Sequence, residues 1–318
     1  MPDGVTSMLG FAVLFLLGLL CAIAFVTAWT LHRLLHPPRR TYATALAQGR
    51  PGQPDQLRGP TGTPRSFESW TISWRGMDLP VWDIAGDAPS GPVVIMTHGW
   101  GDSRIGALAR AEALLPDASR VIAWDMPGHG DAPGSCLLGV HEHEALRALV
   151  ERVAGNGTPV VLLGWSLGAG VSLAAMSGWE GGASGSVRCV ICEAPYRLPQ
   201  TPARNMMWSF RLPTAINLPV AMALARLRIG APPFWQQERG TFDRASFAAS
   251  VRAPVVIIHG EDDAIAPVQD ARDIAAAAPH AQLLTLPDAG HYSLWTAEPA
   301  RAMVVDRVRS FMAAHTGA

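Results

Sequence analysis

The apolar positions of this chain fall into two regimes. Residues 4–31 contain no charge, and residues 9–31 are apolar almost without interruption. At about 1.5 Å rise per residue, a helix of that length crosses the roughly 30 Å hydrocarbon layer of a bilayer. Further on, short continuous apolar runs alternate with stretches of helical period. An opening pair of strands is predicted at 69–74 and 79–84, turning at Arg75-Gly76. Six more are predicted at 92–96, 120–124, 159–163, 187–192, 254–259 and 282–286. Helices are predicted near 103–115, 141–154, 167–176, 268–277 and 299–314. Runs of this kind signal a mostly parallel sheet buried on both faces by helices.

Two stretches break the alternation. Residues 37–65 are rich in proline and glycine and read as a flexible spacer. About sixty residues separate the strands ending near Cys192 and starting at Pro254, too many for a structureless loop, so a helical insertion is expected there. The expected organisation is therefore a membrane anchor at 1–36, a linker at 37–65, a core at 66–195 and 248–318, and a cap at 196–247.

Composition narrows the function. Hydrophobic residues are 49% of the 318 and charged residues 16%, enough for a large core. A net charge of −1 gives no basic stripe for nucleic acid. The N-terminus carries no Arg or Lys before its apolar run, unlike a secretory signal. Arg33, Arg39, Arg40 and Arg50 follow the run, so a single pass with the folded part on the cytoplasmic side is expected. Cys189 and Cys192 have redox-pair spacing but lie within an expected central strand, on opposite faces, and read as buried thiols.

The chemistry centres on Gly164-Trp165-Ser166-Leu167-Gly168, between a β-branched run and a helix-like stretch. In that context G-x-S-x-G forms a sharp turn that lifts a serine hydroxyl above the sheet edge. The hydroxyl needs a base steadied by a third group. His291, after the last expected strand, fits the base. Asp263 fits the acid, with Asp262 and Glu193 as competitors. Oxyanion donors are expected at the amides of Leu167 and Trp100, the latter in His98-Gly99-Trp100-Gly101, with His98 bracing that loop. His141-Glu142-His143-Glu144 resembles a metal cluster but reads better as an acid-rich helix start. Met206, Met207, Trp208, Phe210, Met222, Phe234 and Trp235 could line an acyl pocket or form the cap's own core. No metal or organic cofactor is required.

From about residue 66 onward the chain resembles the α/β-hydrolase superfamily, particularly its monoacylglycerol-lipase and serine-aminopeptidase-like branch. The resemblance rests on the motifs named above together with Asp125-Met126-Pro127-Gly128-His129-Gly130, His259-Gly260-Glu261-Asp262-Asp263 through Pro267, and Gly290-His291. It implies a Ser166–His291–Asp263 triad, favours Asp263 over Asp262 as the residue four before Pro267, and makes His129 structural. Glu193 stands where such chains usually carry a small residue. The expected activity is hydrolysis of carboxylic esters of hydrophobic acyl or lipid substrates. Peptidase, thioesterase or acyltransferase chemistry on the same residues is an alternative, and a non-catalytic scaffold a remoter one. Haloalkane-dehalogenase and epoxide-hydrolase readings fail, because they place an aspartate where this chain has Ser166.

Overall fold

A computed structural model describes residues 3–209, 214–230 and 243–317. The chain opens with the helix α1 (Asp3–Leu35), followed by a short α2 (Tyr42–Ala47). β1 (Phe67–Trp74) and β2 (Met77–Ala85) form an antiparallel hairpin. Then come β3 (Val93–Thr97), α3 (Leu108–Leu114), β4 (Arg120–Trp124), α4 (Glu142–Val153), β5 (Val160–Trp165), α5 (Leu167–Met176) and β6 (Val187–Glu193). Three helices follow, α6 (Gln200–Ser209), α7 (Asn217–Arg228) and α8 (Arg244–Ala248). The chain ends β7 (Val255–Gly260), α9 (Val268–Ala277), β8 (Ala281–Leu286) and α10 (Ala300–Thr316).

The eight strands form one sheet in the order β1-β2-β4-β3-β5-β6-β7-β8. β2 pairs antiparallel with both β1 and β4, and the remaining pairs are parallel. β3, β5 and β7 are buried at every position, as strands covered on both faces must be. Residues of α4, α5, α8 and α9 fill one face and residues of α3 and α10 the other. Cys192 lies in the first core and Cys189 in the second, the alternation expected of strand neighbours three apart. Burial pushes the Cys189 thiol up to about 12 and the Cys192 thiol up as well, so both are inert.

The spacer is where the structure departs from the sequence reading. Residues 37–65 are not a loose leash. Arg39 Nη1 donates to the Gly130 carbonyl (2.7 Å), Arg40 pairs with Asp102 (2.8 Å), Arg65 pairs with Asp87, and Leu57 is buried in the second core. Proline and glycine mark irregular backbone, which can pack as tightly as a helix when its side chains find partners far away in sequence.

α1 is also tied down at its C-terminal end. Helix C-termini leave carbonyls without partners inside the helix. Here the Leu34 carbonyl accepts from the Trp100 indole (3.1 Å) and the Leu35 carbonyl from the Cys136 amide (2.8 Å). Pro37 and Pro38 end the helix. One turn earlier, Asn217 of α7 donates to the buried Thr30 hydroxyl (2.7 Å), and α7 packs along α1. Met8–Leu35 is the one described helix long and apolar enough to cross a membrane.

Between β6 and β7, α6 and α7 stand over the C-terminal edge of the sheet. α8, within the stretch assigned to the cap, packs instead against α5 and α9. Its Arg244 is buried, stacked on Tyr196 and donating to the Leu138 carbonyl (3.2 Å).

Candidate active site

β5 delivers Ser166 at its C-terminal end, and α5 begins at the next residue. Ser166 adopts φ 53°, ψ −113°, a backbone conformation unfavourable for any residue with a side chain. The flanking glycines are needed for room. A Cβ on Gly164 would lie 2.3 Å from the Gly168 carbonyl oxygen, and one on Gly168 would lie 2.0 Å from that of Thr97. Leu167 opens α5, so its amide is among those a helix leaves without an internal partner.

The structure brings His291 and Asp263 to this serine. His291 Nε2 is 3.1 Å from Ser166 Oγ, and Nδ1 is 2.6 Å from Asp263 Oδ2. The other carboxylate oxygen of Asp263 accepts from the amides of Ile265 (2.8 Å) and Ala266 (2.7 Å). Burial pushes the Asp263 carboxyl up, but hydrogen bonds from His259 and His291, the His291 charge and the Ala266 amide outweigh it. The net position is well below the usual carboxylate range. Asp263 therefore stays anionic, and Nδ1–H of His291 points at it, leaving Nε2 to accept from the hydroxyl.

Sequence reasoning missed two contributors. His259 Nε2 lies 2.8 Å from the Ala266 carbonyl and 3.3 Å from Asp263 Oδ2, a second imidazole on the same carboxylate. Its position four before Asp263, at a strand end, was the available signal. Arg110 pairs with Glu193 through Nε (2.7 Å) and Nη2, and its guanidinium lies 4.0 Å over the Trp165 ring. That ion pair accounts for Glu193, whose carboxylate turns to Arg110 rather than His291. Asp262 is exposed.

The loop after β3 carries the second expected oxyanion donor. The Met126 amide donates to His98 Nε2 (2.9 Å), so His98 is neutral and its Nδ1–H donates to the Gly99 carbonyl (2.8 Å). Burial lowers the His98 pKa, against the opposing pull of Asp125. The Gly99 carbonyl also accepts from the Asp102 amide (3.2 Å). In a trans peptide the carbonyl and the next N–H point in opposite directions, so this grip also fixes the Trp100 N–H. A Cβ on Gly99 would come 3.3 Å from the Ser166 Cβ, which puts this peptide directly against the elbow.

Ser166 and His291 open into a cavity of about 460 Å³. Leu34, Leu138, Met206, Met207, Met222 and Ile265 give it an apolar lining, with Arg40 and Arg50 from the former spacer among its walls. Of the aromatic and methionine residues singled out in the cap, Met206, Met207 and Met222 face the cavity and Trp208 is exposed. Phe210, Phe234 and Trp235 lie outside the described residues. In the acid-rich stretch, Glu142 is buried and accepts from the Leu137 amide (2.9 Å), while His141 meets Glu144 and the Ile229 carbonyl.

Residues 93–306, two-thirds of the chain, match the family model described as the alpha/beta hydrolase family. The chain belongs to that family. This hydrolase is similar in fold to an esterase from Pyrococcus furiosus, with 20% identity and a TM-score of 0.66 over 89% of this chain and 99% of that one. It is also similar to the esterase RhEst1 from Rhodococcus sp. ECU1013 (19%, 0.56, 79% and 99%). A third similar structure is an alpha/beta hydrolase from Penicillium sp. sh18 (18%, 0.56, 80% and 100%). No curated protein matches the chain. At these identities the likeness concerns the fold alone.

Proposed function

We propose that this hydrolase is a membrane-anchored serine esterase acting on hydrophobic acyl substrates. The observation that carries the reading is the relay from Asp263 through His291 to the Ser166 hydroxyl, facing an apolar cavity. His291 takes the proton from Ser166 as the hydroxyl attacks the substrate carbonyl. The oxyanion that forms is held by the amides of Leu167 and Trp100. His291 then protonates the leaving alcohol. Water, activated by the same imidazole, releases the acid from the acyl-enzyme.

The esterase names of similar structures support ester over amide chemistry. The resemblance to the monoacylglycerol-lipase branch supports an acyl chain in the cavity. Support for the membrane comes from α1 and from α7 beside it. Val220, Ala223, Leu224 and Leu227 on the exposed face of α7 are apolar, with Arg228 at its end, whereas a surface helix normally turns mostly polar residues outward. Leu227 is 71% exposed, and Ile216 and Trp208 are exposed as well. Such a patch beside a bilayer-length helix fits lipid. The cytoplasmic placement of the domain rests on the arginines that follow the apolar run.

A fluorophosphonate probe is expected to label the wild type and spare Ser166→Ala. Esters of graded chain length, assayed with and without vesicles, test the substrate class. A clear preference for short soluble esters would remove the lipid assignment and leave the esterase.

A further inference from the structure

Two links join the end of α1 to the reaction centre. The first runs from the Leu34 carbonyl to the Trp100 indole, the side chain of the residue whose backbone N–H is the second oxyanion donor. The second runs through Asp102. Its Oδ1 receives Arg40 Nη1 (2.8 Å) and the Ser103 amide (2.9 Å), while its Oδ2 receives Trp165 Nε1 (3.1 Å). One carboxylate thus ties Arg40, just past α1, to the residue that precedes Ser166. Leu34 and Arg40 also line the cavity onto which Ser166 and His291 open.

We propose that the stretch from Leu34 to Arg40 is a working part of the active site, with Arg40, Asp102 and the Leu34 carbonyl as positioning groups for the oxyanion loop and the elbow. This rests on the Ser166 reading above. The physical need is clear. The His98 bond fixes the carbonyl side of the Gly99–Trp100 peptide, but this peptide is followed by Gly101 at φ 72°, a glycine hinge. The indole tether adds a second anchor, on the far side of the Trp100 Cα, to a peptide that is otherwise held from its carbonyl side and has a glycine on either side of Trp100. An oxyanion donor works only when it is aimed before the charge develops. Arg40 acts in the same sense. It draws on a carboxylate that would otherwise balance only the Ser103 amide and the Trp165 indole, and holds the bridge in place.

The segment is therefore more than an attachment. Loss of its contacts lowers turnover while leaving the Ser166–His291–Asp263 relay and the apolar binding surface intact, so kcat moves and KM does not.

The test uses the full-length protein in detergent with a short, water-soluble ester. Trp100→Phe keeps the ring and removes the indole donor. Arg40→Met keeps the stem and removes the charge. Each is expected to lower kcat about tenfold or more, with KM within about twofold and the thermal midpoint close to wild type. The rate of fluorophosphonate labelling falls in parallel, since phosphonylation uses the same donors. Arg40→Lys restores most of the activity, because one charged donor suffices for Asp102 Oδ1. Unchanged kcat in Trp100→Phe and Arg40→Met, or a loss that only tracks the fraction of folded protein, overturns the proposal. If Ser166→Ala is dead while both variants match wild type, this proposal fails alone. Activity retained in Ser166→Ala removes the reading beneath it.

Discussion

Asp263 receives two imidazoles, and they do different work. His291 faces the serine, whereas His259 is fully buried behind the carboxylate and reaches no substrate. A hydrogen bond to a charged group is worth about 1.5–3 kcal/mol. His259→Phe is expected to cost stability in that range and to let the Asp263 carboxyl rise toward its ordinary value. Because the native carboxyl is depressed, its contribution to stability is complete above about pH 4 and fades only as pH falls through the lower folded value. In the variant the depression is smaller, so less stability is lost on acidification and the decline is shallower. Urea midpoints of both proteins between pH 3 and 7 measure the difference, and identical profiles would show that His259 does not act on Asp263. Legibility was uneven at this scale. Ser166, Asp263 and His291 could be read because each follows the C-terminal end of a strand in the parallel part of the sheet, and such ends share an edge. Arg110 could not, because nothing local to it signals that its partner is Glu193, at the end of a distant strand.

Among the elements, the strands were easy to read and the spacer was not, for one reason. A strand buried on both faces writes its environment into its own sequence as an unbroken apolar run, as 160–165 does. Residues 37–51 are held by partners at Asp102 and Gly130 and bury little of their own apolar surface, so composition alone suggested freedom. α7 shows the opposite problem. Its inner positions Leu218, Ala221, Met222 and Ala225 are buried, and Val220, Ala223, Leu224 and Leu227 outside are apolar too, while the polar Asn217 and Arg226 are buried and Arg228 is exposed, so its pattern carries little contrast between faces. Charging the outer face discriminates between a membrane contact and an incidental patch. Leu224→Glu with Leu227→Glu is expected to leave the thermal midpoint in detergent nearly unchanged, since these positions are exposed. Vesicle-dependent activity on long-chain esters should fall at least several-fold, because a carboxylate is costly to place in or against the hydrocarbon. Full vesicle activity in the double variant would place α7 outside the lipid.

Across the whole molecule, the buried histidines tie stability to pH. Burial lowers His98, and burial together with the repulsion between two protonated rings at His98 and His129 lowers His129 well below its ordinary value. Their rings are 4.8 Å apart, so the folded protein has no place for a proton on either. The unfolded chain takes up those protons as pH drops through about 6.5. Stability is therefore full above that pH and declines below it, by up to about 1.4 kcal/mol per pH unit for each histidine. His129→Gln is expected to flatten the decline between pH 7 and 5, read from denaturant midpoints, even if it lowers stability overall. An unchanged slope would mean that His129 is not a source of it.

The grip on the end of α1 has a consequence for how the enzyme meets its substrate. A domain on a slack tether tumbles above the surface and presents its mouth in every direction, so most encounters with lipid are wasted. Here Thr30, Leu34 and Leu35 are bonded to Asn217, Trp100 and Cys136. With α1 as the membrane anchor proposed above, the catalytic body rotates only as that helix spins in the plane of the lipid. Its cavity then keeps one height and one heading toward the headgroups, and the search for substrate is reduced from three dimensions to two.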